Sequence, residues 1–196
     1  MSEDENINEI NIYETKHKPT FALSLIEWAG ELVFAIAILT IFLTFVVRTV
    51  DVNGDSMIPN YYHKEKLMIS SVLFEPKVGD VVVITDVLYD PIIKRVIATE
   101  GQVVDIDKEC LSVYVDGILF EDEDFGIQAG ITNIFHTEDS TEFPLVVPKG
   151  CVFVLGDNRA ESLDSRSAKV GMVDNRKILG KVLLRILPLD RFGSVK

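Results

Sequence analysis

Three short segments carry residue types at spacings that could do chemistry. The first is Val50-Asp-Val-Asn-Gly-Asp-Ser-Met-Ile-Pro59. Gly54 permits a backbone turn that other residues resist, and Pro59 fixes φ shortly afterwards, so Ser56 is held between two backbone constraints. A serine hydroxyl becomes a nucleophile only beside a base. On this segment alone, an ordinary turn serine is the simpler reading. The second segment is Asp90-Pro-Ile-Ile-Lys-Arg-Val-Ile-Ala98. As a strand it alternates faces, with Ile92, Lys94 and Val96 on one and Ile93, Arg95 and Ile97 on the other. Each face then holds a cation among apolar neighbours. Desolvation lowers a lysine from its ordinary value of ~10.4 by up to several units, whereas arginine stays charged. Lys94 is therefore the candidate base and Arg95 its structural partner, where substitution by lysine is expected to retain activity. The alternative is a pair of edge-strand charges that discourage aggregation. The third segment is Leu155-Gly-Asp-Asn-Arg-Ala-Glu-Ser-Leu-Asp-Ser-Arg166, with three acids, two arginines and two serines behind a strand. If buried it must form a paired, hydrogen-bonded network; if exposed it is a solvated loop.

Other chemistries lack their residues. There is no H-E-x-x-H, cysteine cluster or G-x-G-x-x-G, so zinc hydrolysis and dinucleotide binding have no basis, and no metal or cofactor is expected. Gly54-Asp-Ser-Met-Ile58 fails the nucleophile elbow at its last position, and no S-x-x-K occurs. Of the three histidines, His17 precedes a long apolar run, and neither His63 nor His136 has a supporting motif. The formal net charge of −12 argues against a nucleic-acid partner, which needs a basic face for phosphate. Cys110 and Cys151 are too few for a disulfide scaffold, and whether they pair is left open.

The elements that must position these segments are legible in outline. Leu32 to Val47 contains no charge, and extending back to Phe21 admits only Glu27 and Glu31. As a helix, residues 21–47 would be ~40 Å long, more than a bilayer core requires. A cleaved signal peptide fits less well, because the run is long and no small-residue cleavage site follows it. A buried core helix is the other alternative. Lys16 and Lys18 precede the run and Arg48 follows it, which places the N-terminus in the cytoplasm. The expected organisation is a solvated acidic tail over 1–20, a single transmembrane helix over 21–48 and an extracytoplasmic β-rich domain over 49–196. β-branched or alternating runs predict strands at 67–72, 80–85, 92–98, 103–106, 112–115, 152–155 and 181–186. Asp116-Gly117 signals a tight hairpin, and the acidic segment 121–142 reads as an excursion or flap over the surface. The fold class is mainly β: an antiparallel, sheet or barrel-like domain behind one N-terminal helix.

Taken together, the segments resemble one family, the bacterial type I signal peptidases, which are membrane-bound Ser/Lys leader peptidases. Gly54-Asp-Ser-Met-Ile-Pro59 resembles the family's G-x-S-M-x-P nucleophile box. Lys77-Val-Gly-Asp-Val-Val-Val83 resembles its central strand box, and Ile93-Lys-Arg-Val-Ile97 its base box. Gly156-Asp-Asn-Arg159 with Ser162 and Asp164-Ser-Arg166 resembles its G-D-N-R-x-x-S-x-D-S-R box. The resemblance implies that Ser56 attacks the scissile carbonyl and that Lys94 takes and returns its proton. It implies that Ser162 orients the lysine amine, that Asp157, Asp164 and Arg166 form a supporting salt-bridge set in the loop that also holds Arg159, and that the Ser56 N–H binds the oxyanion. Val50, Val52, Met57, Tyr61, Ile92 and Ile93 are implied as walls of small apolar pockets selecting Ala-like residues before the cut.

The chain also departs from the pattern. Gly54 stands where many members have a serine, which leaves the second oxyanion donor unassigned. Lys64-Glu65 replaces the usual Gly-Asp after the nucleophile box, and Ala98 and Gln102 replace the Gly and Asp that commonly follow the base box. The implied partners are secretory preproteins and the lipid bilayer of the cytoplasmic membrane. The competing reading is a non-catalytic, anchored β-domain that binds exported partners; such a decayed enzyme would be expected to lose Ser56 or Lys94, and both remain.

Overall fold

The structure is a computed structural model that describes residues 21–71, 74–133 and 140–194. The tail expected over 1–20, Val72 at the end of one expected strand, and the middle of the acidic segment lie outside the described residues. Contacts divide the chain into two units, residues 1–41 and 42–196.

Helix α1 (Phe21–Val46) contains an 18-residue stretch, Ser24–Ile41, long and apolar enough to cross a membrane. Its side chains from Leu25 to Ile41 are all exposed, including Trp28, Phe34 and Ile38. The helix was expected to run to Arg48, but it stops at Val46 and strand β1 (Val47–Asp51) begins at once. Val47-Arg-Thr-Val50 is rich in β-branched residues, and every residue of β1 pairs with β2 (Lys66–Ser70), Val47 opposite Ser70 and Asp51 opposite Lys66.

The larger unit is built on a seven-stranded antiparallel sheet in the order β1-β2-β11-β3-β4-β9-β10. Strands β3 (Val81–Ile84), β4 (Ile92–Thr99), β9 (Cys151–Leu155) and β11 (Ile178–Leu187) form its centre, and β10 (Val173–Asp174) its edge. A second antiparallel sheet has the order β7-β6-β5-β8. It comprises β5 (Val103–Asp107), β6 (Ser112–Val115), β7 (Ile118–Leu119) and β8 (Leu145–Val146). The Asp116-Gly117 turn joins β6 to β7, with both residues at positive φ, as a tight hairpin demands. Both cysteines are free.

Strands β3 and β4 are buried on both faces, which is why β3 reads as a continuous apolar run and β4 as one interrupted only by Lys94 and Arg95 before its terminal threonine. One core cluster gathers Val52, Met57, Tyr61, Leu67, Ile69, Val81, Val83, Ile93 and Val182. Another holds Val82, Ile84, Val96, Val152 and Val154. Lys94 and Arg95 are thus carried on a strand clamped between β3 and β9, with Lys94 opposite Val82 and Arg95 opposite Val81 and Leu155.

Candidate active site

The nucleophile segment folds into a single tight turn. Gly54 adopts φ of +86°, and the N–H groups of Ile58, Asn60 and Tyr61 donate to the carbonyls of Asp55, Met57 and Met57 respectively. Met57 and Tyr61 sink into the core and anchor the turn. Its free side is tied to the loop after β9: the Asn158 N–H donates to the Ser56 carbonyl at 3.0 Å, and Asn158 Nδ2 to the Asp55 carbonyl at 3.1 Å. Asn60 Nδ2 donates to Asp157 Oδ2 at 2.7 Å and to the Phe125 carbonyl at 2.7 Å.

This scaffold sets Lys94 Nζ 2.7 Å from Ser56 Oγ. Lys94 is only 3% exposed. Burial pulls its pKa down to about 8; Asp164 and then Asp157 oppose that shift, and Arg166 adds to it. Desolvation dominates, so the amine is far easier to deprotonate than an exposed lysine.

Behind the pair lies a network of buried ions. Arg95 Nε and Nη2 donate to Asp157 Oδ1 and Oδ2 at 2.8 and 2.7 Å, its Nη1 reaches the Gly79 carbonyl, and the Phe125 ring lies 4.6 Å from its guanidinium carbon. Arg166 Nε and Nη2 donate to Asp164 Oδ1 and Oδ2 at 2.8 and 2.9 Å. This fork argues against the expectation that lysine would serve at position 95, since a single ammonium cannot reproduce the planar, two-point pairing with Asp157.

Ser162 is brought to the same loop and is fully buried, but among the described residues its Oγ has no hydrogen-bond partner, Lys94 included. Val50, Val52, Met57, Tyr61 and Ile93 share one cluster. Ile92 does not join them: it packs with Val82, Ile84 and Val96, because neighbouring residues of a strand face opposite ways. The Gly54 N–H donates to His63 Nδ1 at 3.2 Å. His63 thus braces the approach to the nucleophile, a role its sequence setting did not signal.

The Lys64-Glu65 departure keeps a glycine-like turn. Lys64 has φ of +70°, and buried Glu65 pairs through Oε2 with Arg185 at 2.9 Å and through Oε1 with Arg191 at 2.6 Å. A non-glycine residue in the left-handed region carries a steric penalty. Lys64→Gly is therefore expected to stabilise the domain by about 0.5–1 kcal/mol, raising Tm by about 1–4 °C without altering Glu65 pairing. A lower Tm in a thermal melt would show that the Lys64 side chain contributes more than its backbone strain removes.

Sequence reasoning missed Asn60, Asp122, Phe125, Thr132 and Asn133, all of which contact the site's ionic side chains. The Phe120 and Phe125 that bracket Glu121-Asp-Glu-Asp124 were the available signal, since paired aromatics anchor a segment. Over its first part the acidic segment runs along the surface, as expected, but it is pinned there: Asp122, Ile127 and Thr132 are buried while most of the residues between them are exposed.

Comparison with known proteins identifies the family. The family described as "Signal peptidase, peptidase S26" matches residues 25–187. Signal peptidase IB of Staphylococcus aureus (strain Mu50) is 31% identical over 180 residues, covering 86% of this chain and 92% of the relative. Signal peptidase I P of Bacillus subtilis subsp. natto is 28% identical over 178 residues, covering 88% and 95%. A crystal structure of a signal peptidase I from Enterococcus faecalis V583 aligns with a TM-score of 0.40 at 23% identity, over 55% of this chain and 97% of that one. With the matched stretch running from the apolar helix through β11 and taking in both Ser56 and Lys94, the chain belongs to the signal peptidase family.

Proposed function

We propose that this protein is a membrane-anchored serine endopeptidase that removes N-terminal signal peptides from exported preproteins, with Ser56 as nucleophile and Lys94 as general base. The observation that carries this reading is the 2.7 Å separation between Ser56 Oγ and a buried amine whose pKa is drawn to about 8. The neutral amine accepts the Ser56 hydroxyl proton as Oγ attacks the scissile carbonyl carbon. Among the described residues no acceptor engages the Ser56 N–H, which leaves it to bind the oxyanion. The Lys94 ammonium then gives its proton to the leaving amine. A water, deprotonated by the same amine, hydrolyses the acyl-enzyme and frees Ser56.

Asp157, Asp164 and Arg166 support the loop behind the pair, and the buried Ser162 hydroxyl is assigned to orienting the Lys94 amine when substrate is bound. Val50, Val52, Met57, Tyr61 and Ile93 form the walls that favour small apolar residues before the cut, and Ile92 is left out of that set. Purified protein incubated with a preprotein bearing an Ala-x-Ala site is expected to release one shortened product, equally with and without a chelator. No cleavage would remove the peptidase reading, and loss of cleavage with the chelator would remove the Ser/Lys chemistry.

The exposed apolar side chains of α1 support a bilayer anchor, because such a run left in water would be an aggregation site. The two lysines before it support a cytoplasmic tail and an extracytoplasmic catalytic domain. Protease added to intact spheroplasts is expected to digest the domain from about residue 49 onward while sparing the first 20 residues. A protected domain would reverse the orientation.

A further inference from the structure

Segment 121–133 belongs to none of the sequence boxes, yet it closes over three arginines of the site. Arg95, Arg159 and Arg166 are all fully buried. Arg95 pairs with Asp157 and Arg166 with Asp164. The third carboxylate is Asp122, whose Oδ1 lies 2.6 Å from Arg159 Nη2 and whose Oδ2 accepts from Nη1 at 3.2 Å. The shorter contact is bent off the N–H direction and acts as an ion contact, not as a hydrogen bond. Thr132 Oγ1, also fully buried, accepts from Nη1 at 2.8 Å. On its other side, Arg159 Nε donates to the Gly156 carbonyl at 3.1 Å, and the Arg159 carbonyl accepts from Arg166 Nη1 at 2.7 Å. Arg159 therefore joins the 121–133 segment to the loop that holds Ser56 through Asn158.

We propose that Asp122 is a positioning residue of the peptidase site: it fixes the Arg159 guanidinium against the Gly156 carbonyl and keeps Asp157 and Asp164 from being drawn to Arg159. The carboxylates acting on Arg159 are Asp122 first, then Asp157 and Asp164, with Arg166 opposing them. Asp164 and Asp157 are also the anions that hold the Lys94 amine up against desolvation, while Arg166 pulls it down. Around Asp122, burial favours the neutral acid and so does Asp157, whereas Arg159 and Arg95 favour the carboxylate. Remove the Asp122 charge and Arg159 has only Asp157 and Asp164 to turn to. Their field at Lys94 then weakens, the ammonium is less favoured, and the base titrates at lower pH.

This inference rests on the peptidase reading, and its test separates the two. The full chain in detergent is assayed on an Ala-x-Ala preprotein across pH, with circular dichroism on each variant. Asp122→Asn is expected to lower kcat about tenfold at unchanged KM and to move the acid limb down by about half a unit. Asp122→Glu, which keeps the charge, is expected to return the limb to its wild-type position. Thr132→Val removes only a neutral acceptor; it is expected to lower kcat severalfold and leave the limb unmoved. A limb in Asp122→Asn that stays in place or moves upward overturns the proposal, since a purely structural role changes kcat alone. Should Asp122→Asn fail to fold, an undiminished kcat in Thr132→Val or a displaced limb in Asp122→Glu overturns it. A wild-type chain that does not cleave removes the peptidase reading itself, whereas a cleaving wild type beside an unaltered Asp122→Asn removes only this inference.

Discussion

Lys94→Arg is expected to be as inactive as Lys94→Ala, and Ser56→Ala as inactive as either, each lowering kcat by about 10⁴–10⁶-fold. The three losses should be alike because nucleophile and base act as one unit across a 2.7 Å contact. Arginine keeps the charge and much of the length but does not deprotonate in proteins, so it separates a base from a mere cation. The pH profile gives an independent reading. The reacting form carries a neutral amine, and the Lys94 pKa is lowered to about 8 by burial. Below that value the neutral fraction rises tenfold per pH unit; above it the fraction saturates. The wild-type rate should therefore climb through mildly alkaline pH and level off well before the ordinary lysine range. Ser56→Ala should fold normally, since it deletes one hydroxyl whose partner is an amine already disposed to be neutral. A working Lys94→Arg enzyme with a flat profile would make Lys94 a structural cation and return His63 or His136 to consideration as the base.

Much of the fold was legible because its central strands obey local rules. Ile92–Thr99 and Cys151–Leu155 are β-branched or apolar runs bounded by turn residues, and they became β4 and β9 with little change at either end. Strand β1 was not legible as a strand. Val47 to Asp51 continues an apolar helix in the sequence, and only pairing with β2 draws it into the sheet. The two-residue strands β8 and β10 have no pattern of their own and exist through partners on β5 and β9.

The site divides in the same way. Ser56 and Lys94 were singled out because each sits in a short box that resembles one of the family's, and the fold brings the two within 2.7 Å. Asp122 and Asn60 were not, because their partners lie 37 and 97 residues away and nothing in the local pattern announces them. Charge told part of the story: three arginines buried in one network require three carboxylates, and the boxes supplied only Asp157 and Asp164. Arg95 was placed correctly beside the base yet judged replaceable, since its fork onto Asp157 and its aromatic neighbour are tertiary facts.

Gly156→Ala is expected to lower kcat by about 10²-fold or more although no reacting group is altered. Gly156 follows β9 directly; its N–H donates to Asp164 Oδ2 at 3.0 Å and its carbonyl accepts from Arg159. A Cβ added there would lie 2.1 Å from Ser162 Oγ, 2.4 Å from Ser162 Cβ and 2.5 Å from the Ser56 carbonyl oxygen. The Ser162 atoms belong to a fully buried side chain, and the Ser56 oxygen is backbone held by the Asn158 N–H. None is the loose end of a flexible group, so the backbone around the nucleophile must shift by roughly 1 Å, enough to spoil a near-attack geometry. Overpacking should also reduce stability by about 1–3 kcal/mol. The double variant Gly156→Ala/Ser162→Gly distinguishes the contacts. It removes the Ser162 clash but leaves the one with Ser56, so Tm should recover in part while kcat stays low. Recovery of kcat in that variant would locate the damage at Ser162 and release Gly156 from any part in placing the nucleophile. A Gly156→Ala enzyme of wild-type rate would mean that the Ser56 carbonyl moves freely, against the two hydrogen bonds from Asn158 that hold this turn to its loop.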